Sequence, residues 1–133
     1  MVKDPNNPCL FCNYDKSGIV CENELAYASY DTYPVSSLHC LIIPKRHLPN
    51  YFFLTDEELL ACNNLIKIIK NEISEKDKTV KAFNIGTNVG KISGQSIMHC
   101  HIHIIPRRNG DVENPQGGVR CVIPKKQHYK RKI

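Results

Sequence analysis

His99-Cys100-His101-Ile102-His103-Ile104-Ile105, closed by Pro106, alternates imidazoles with apolar side chains. Alternation with β-branched residues is the pattern of an extended segment, so the run predicts a strand over 99–105. Side chains at i, i+2 and i+4 of a strand leave one face, roughly 6–7 Å apart. The three histidines are therefore expected as a row over one side of a sheet, with Cys100, Ile102 and Ile104 facing the core. Near neutral pH an imidazole serves as nucleophile, proton carrier, phosphate donor or metal ligand. Packing alone does not account for three in register.

The segment that feeds this run is Asn88-Val89-Gly90-Lys91-Ile92-Ser93-Gly94-Gln95-Ser96. Its glycines, Gly94 among them, let backbone approach a bulky anion, and Gln95 and Ser96 add side-chain donors. The Gly-Lys-[Ser/Thr] ending of a P-loop is absent, so ATP hydrolysis of that type is not indicated. A neutral imidazole attacking phosphorus gives a phosphoramidate that water then hydrolyses, splitting one displacement into two easier steps. The attacking ring needs its other nitrogen held as a donor. His101, flanked on both sides, is the nucleophile on this reading, and His103 donates to a phosphate oxygen as charge develops.

Outward from the histidines, strands are expected over 25–30, 39–44, 80–86 and 119–123, with turn formers over 1–24 and a polar loop over 107–118. Thr55 opens the one long helix: Thr55 with Glu58 forms a capping box, and Asp56, Glu57 and Glu58 put negative charge at the positive end of its dipole. Leu59, Cys62, Ile66, Ile69 and Ile73, with Leu65 alongside, supply its apolar stripe. The order predicts an α+β fold: an antiparallel β-sheet of about five strands with one main helix packed on it.

The chain has 133 residues, 41% of them apolar and 23% charged, which is one domain's worth of an ordinary globular composition. The domain is expected over 1–133, with 1–24 as an N-terminal segment and 124–133 as a basic tail. No apolar run approaches bilayer length, and residues 1–8 lack the apolar core of a secretory signal, so the expectation is cytoplasmic. Seven cysteines is an odd number, and of these only Cys9 and Cys12 are close in sequence, which argues against a disulfide framework. Cys21, Cys40, Cys62, Cys100 and Cys121 read as small core hydrophobes. A formal charge of +5 suits an anionic ligand without identifying one. Much of it lies over 125–132, which reads as a solvated chain end, because no aromatic-rich basic sheet of the nucleic-acid-binding kind accompanies it. Cys9-x-x-Cys12 sits in a Pro/Asn-rich segment rather than at a helix start, where a redox pair would be wanted. Two histidines would complete a tetrahedral Cys2His2 zinc site.

The segment 88–107 resembles the signature of the histidine triad (HIT) family, His-φ-His-φ-His-φ-φ with φ apolar, at every position. His39-Cys40-Leu41-Ile42-Ile43-Pro44-Lys45-Arg46-His47 is similar to the family's other hallmark. The resemblance implies a HIT-like fold and a homodimer with a shared sheet. It also implies nucleotidyl hydrolysis or transfer through a histidine–nucleotide intermediate. It assigns His101 as nucleophile, His103 and His39 to the phosphates, Asn88, Gly94, Gln95 and Ser96 to the phosphate pocket, and Asp31 to the ribose hydroxyls. Leu38 departs from the pattern, since many relatives carry glycine there. A zinc-containing subgroup, and the related galactose-1-phosphate uridylyltransferases, use positions matching Cys9, Cys12, His47 and His99 as ligands of a closed, structural zinc. The looser match over 106–120 points to hydrolysis of dinucleoside polyphosphates such as diadenosine tetraphosphate. Adenosine 5'-phosphoramidase activity and a non-catalytic nucleotide-binding or sensor role are the alternatives. Mg²⁺ accompanying a polyphosphate is left open, and no carboxylate cluster asks for it.

Overall fold

A computed structural model describes residues 7–132; residues 1–6, which carry most of the argument against a secretory signal, lie outside it. Five strands form one antiparallel sheet: β1 (Ile19–Glu22), β2 (Ala26–Tyr30), β3 (Cys40–Pro44), β4 (Val80–Gly86) and β5 (Ile102–Arg108). Their spatial order is β1-β2-β3-β5-β4. The single long helix, α1 (Asp56–Lys76), crosses from β3 to β4 and packs on one face.

Helix α1 starts where the sequence says it should. The Thr55 hydroxyl accepts from Glu58 N–H while the Glu58 carboxylate accepts from Thr55 N–H, closing the capping box. Glu58 is nonetheless buried, because its carboxylate also takes two charge-assisted hydrogen bonds from Arg46. That pair ties the helix start to the segment just beyond β3, beside His47. Cys62, Leu65, Ile69 and Ile73 bury the helix face against Ala26, Ala28, Cys40, Ile42, Ile102 and Ile104. Leu59, expected in the stripe, is 38% exposed instead.

Two strand expectations need correction. Residues 119–123 form no strand: Gly118–Val122 is a 3-10 helix, entered through Gly117 at φ 85°, with Arg120 N–H bonded to Gly117 O. It leaves Cys121 exposed, so that cysteine is not a core residue. The fifth strand is β1, inside the segment read as turn formers. The histidine strand also begins later than expected, at Ile102, and runs on to Arg108. The reason is local to β3. Ile42 pairs with Ile102, but Pro44 has no N–H to continue the ladder, and its carbonyl accepts from the His99 ring. Cys100 N–H turns to Leu48 O instead, and the Thr87 hydroxyl donates to His101 O.

The sheet alternation places the functional face. Ile42 and Ile102 point toward α1, so their neighbours Leu41 and His103, which pair across β3 and β5, point the other way. On that second face Tyr27, Leu41 and Ile43 pack with Phe11, Tyr14 and Ile19, so the N-terminal segment folds over the side that carries the histidines.

Candidate active site and metal centre

His39 sits at the start of β3 because the loop over 31–39 closes tightly. Asp31 N–H donates to His39 O, and His39 N–H to Ser36 O. Leu38 makes this possible in a left-handed conformation, φ 72°, where glycine is the residue without strain. The loop is fastened to β5 by the Ser36 hydroxyl on Pro106 O and by Arg108 on Ser37 O. His39 is thereby held beside His103.

The hydrogen-bond partners determine which nitrogen carries each proton. Val35 N–H donates to His39 Nδ1, so the His39 proton is on Nε2. His39 Nε2 lies 2.9 Å from His103 Nδ1 and donates to it, which leaves the His103 proton on Nε2. Asp31 Oδ2 flanks this pair, 3.5 Å from His39 Nε2. Burial keeps both rings neutral: it lowers His39 against the pull of Asp31, and together with His101 and His39 it brings His103 down to about 4. Asp31, His39 and His103 are close enough to hold a cation. The proton that Val35 N–H leaves on His39 Nε2 makes them a hydrogen-bonded group, with no lone pair on that nitrogen for a metal.

His101 is buried, and its Nδ1–H donates to His99 O at 2.8 Å. Its Nε2 is then the lone pair, the form a nucleophile requires. The His103 ring stands 5.3 Å from it and the Phe11 ring 4.9 Å, both edge-on. The expected row of three imidazoles is therefore a row of two. His99, fully buried, turns into a separate cluster.

In that cluster His99 Nε2–H donates to Pro44 O, leaving Nδ1 as an acceptor. Nδ1 faces Cys9 Sγ at 3.3 Å, Cys12 Sγ at 3.5 Å and His47 Nδ1 at 3.1 Å, and Cys12 Sγ is 3.3 Å from His47 Nδ1. A tetrahedral zinc with bonds of about 2.0 Å to nitrogen and 2.3 Å to sulfur sets its donor atoms about 3.3–3.8 Å apart. Four donors converge at nearly that spacing, and Pro44 O supplies the outer partner that fixes the ligand tautomer of His99. The residues fit zinc, and with four protein ligands no position is left for substrate.

The loop before the histidines is less open than expected. Gly90 and Gly94 take φ 89° and 100° around a 3-10 turn over Lys91–Ser93. Gln95 is buried with its amide committed: Oε1 accepts Gly90 N–H, and Nε2 donates to Pro49 O and Ile97 O. That amide braces the loop, so holding a phosphate would require releasing one of these bonds. Ser96 is exposed and, with Leu10, His47, Ile97 and Met98, lines an open cleft of about 480 Å³. Asn88 is half-buried where β4 passes into the loop. Phe11, Pro44 and Val35 were not singled out from sequence. Only Phe11 carried a signal, its place between the two cysteines.

With this geometry, the chain is a five-stranded antiparallel sheet bearing a hydrogen-bonded histidine pair beside His101, and a Cys/His tetrad next to it. The HIT domain family matches residues 14–110, and the chain belongs to that family. An adenosine 5'-monophosphoramidase of Schizosaccharomyces pombe is 34% identical over 105 residues, covering 76% of this chain and 75% of that protein. An adenylylsulfatase of Arabidopsis thaliana is 35% identical over 109 residues, covering 79% of this chain and 55% of that protein. Among solved structures, a zinc-bound histidine triad protein of Mycobacterium smegmatis is 28% identical with a TM-score of 0.70, covering 78% of each chain. A diadenosine triphosphate hydrolase of Plasmodium falciparum is 28% identical with a TM-score of 0.70, covering 76% of this chain and 68% of that one.

Proposed function

We propose that this enzyme hydrolyses dinucleoside polyphosphates, such as diadenosine tetraphosphate, at the α-phosphate through a nucleotide bonded to His101. One observation carries the reading: His101 Nδ1–H is committed to His99 O, so Nε2 is the free lone pair. The Nε2–P bond forms as the P–O bond to the leaving nucleotide breaks, and that nucleotide departs as an anion. Water then attacks phosphorus and gives up a proton to solvent, the N–P bond breaks, and the ring returns neutral with its proton on Nδ1. His103, with its proton on Nε2, donates to the phosphate oxygens as their charge grows. His39 holds the His103 tautomer. Asp31 would receive the ribose hydroxyls, and Ser96, Asn88 and the backbone around Gly94 the phosphates, with the Gln95 amide bracing that loop.

Cys9, Cys12, His47 and His99 would hold a structural zinc, a reading supported by the donor spacing and by the zinc-bound relative. The metal would supply stability to the N-terminal segment and, with four protein ligands, would not contact substrate. A homodimer sharing its sheet along β4 belongs to the same proposal, since β4 is an outer strand and exposes Ile85.

One relative, the Schizosaccharomyces pombe protein named an adenosine 5'-monophosphoramidase, favours a second reading. Phosphoramidate hydrolysis uses the same nucleophile but breaks a P–N bond, and the departing amine must take up a proton. Steady-state kcat/KM on diadenosine tetraphosphate and on adenosine 5'-phosphoramidate separates the two. The proposal expects the polyphosphate to be preferred. A preference of about tenfold or more for the phosphoramidate overturns the substrate assignment, and nucleotide binding without turnover of either supports the sensor role.

A further inference from the structure

We infer that Phe11 is a positioning residue for the nucleophile, delivered to it by the metal-binding loop. Phe11 lies between Cys9 and Cys12, and its ring meets His101 edge-on at 4.9 Å and 70°, and His99 at 6.0 Å and 88°. Its backbone is pinned on the other side, where the Tyr27 hydroxyl donates to Phe11 O at 2.6 Å. Tyr27 is fully buried and stacks on Tyr14 at 3.9 Å. The loop folds on itself through Asn13 N–H on Cys9 O and Cys12 N–H on Cys9 Sγ. Phe11 has little freedom to leave.

A single hydrogen bond from Nδ1 to His99 O sets the tautomer of His101 only while the ring faces that carbonyl, and the bond alone does not stop the ring from swinging away from it. The rings of Phe11 and His103, both packed edge-on against it, restrict that swing and hold the direction of Nε2. His99 joins the two sites from both ends: its ring belongs to the Cys/His tetrad, and its carbonyl holds the nucleophile. A metal in the tetrad would therefore be felt at His101 through Phe11 and the His99 backbone, without touching substrate. The inference rests on the reading of His101 as nucleophile and deepens it.

Phe11→Leu keeps most of the side-chain volume and loses the ring, and Phe11→Ala removes both. The measurements are zinc per chain, kcat and KM, and the long-range 1H–15N pattern of the His101 ring, which reports the nitrogen that carries the proton. Phe11→Leu is expected to keep about one zinc per chain, lower kcat about tenfold and leave KM within about twofold. Its His101 pattern should change from a single Nδ1–H tautomer to an average of two. Wild-type protein stripped of metal by a chelator should show the same averaging. Unchanged kcat and ring pattern in Phe11→Leu overturn the inference, as does loss of zinc from that variant, which would make Phe11 part of the metal loop's own fold. Should Phe11→Ala fail to fold, Phe11→Leu decides. If wild type forms no nucleotidyl-His101, the proposed function fails, while the ring pattern of Phe11→Leu still tests the positioning.

Discussion

Leu38 occupies a backbone conformation that a left-handed glycine would hold without strain, and it does so one residue before His39. The strain costs roughly 1–2 kcal/mol and is tolerated because the loop on either side is hydrogen-bonded shut and the leucine packs on the core. Glycine and alanine at this site both remove the packing, but only glycine removes the strain. Leu38→Gly should therefore be more stable than Leu38→Ala by about 0.5–1 kcal/mol, the reverse of their order in regular structure. Chemical denaturation of the two variants checks this, and equal or inverted stabilities would mean the loop relaxes around alanine. The departure at Leu38 was visible in sequence; its φ was not, since no residue type reports it. The same limit applies to the tautomers. Alternation singles out His101 and His103, yet the protons are placed by Val35 N–H, His99 O and Pro44 O, backbone groups that carry no sequence signal.

At the level of elements, α1 and β4 were legible because a capping box and a long period-keeping run mark them. β1 was not, because four residues are too few to show a period. The run over 119–123 misled because its valines and isoleucine suit a strand, but Gly117 and Pro124 bracket it into 3-10 turns. Where α1 ends, Asp77 caps the helix and ties it to β5. Its carboxylate accepts from the Thr79 hydroxyl and N–H and from Arg108, holding its pKa down at about 2. A carboxylate depressed in the fold stabilises it above the unfolded value of about 4 and loses that contribution as pH falls toward 2. Stability should thus decline from about pH 4 to pH 2, and Asp77→Asn should flatten that slope while costing stability at pH 7. Denaturation midpoints across that range test it; an identical slope in the variant would show that Asp77 is not the group responsible.

For the whole molecule, the N-terminal segment and the sheet are joined at the Cys/His tetrad and by Tyr27 on Phe11 O. The ligand set came from resemblance, and the fold brings all four donors together across 90 residues of chain. Removing a metal from that junction should cost about 3 kcal/mol or more, roughly 10 °C in Tm. A scan with and without a strong chelator measures the shift. An unmoved Tm in protein shown to contain zinc would place the metal elsewhere.

The account turns on a covalent bond between His101 Nε2 and phosphorus. Enzyme mixed with diadenosine tetraphosphate, quenched in alkaline denaturant during a single turnover and digested for mass spectrometry, gives the direct measurement. The peptide containing His101 should carry one nucleoside monophosphate, and His101→Ala should carry none and lose turnover. An unmodified His101 under full turnover, or a nucleotide on another residue, would contradict it.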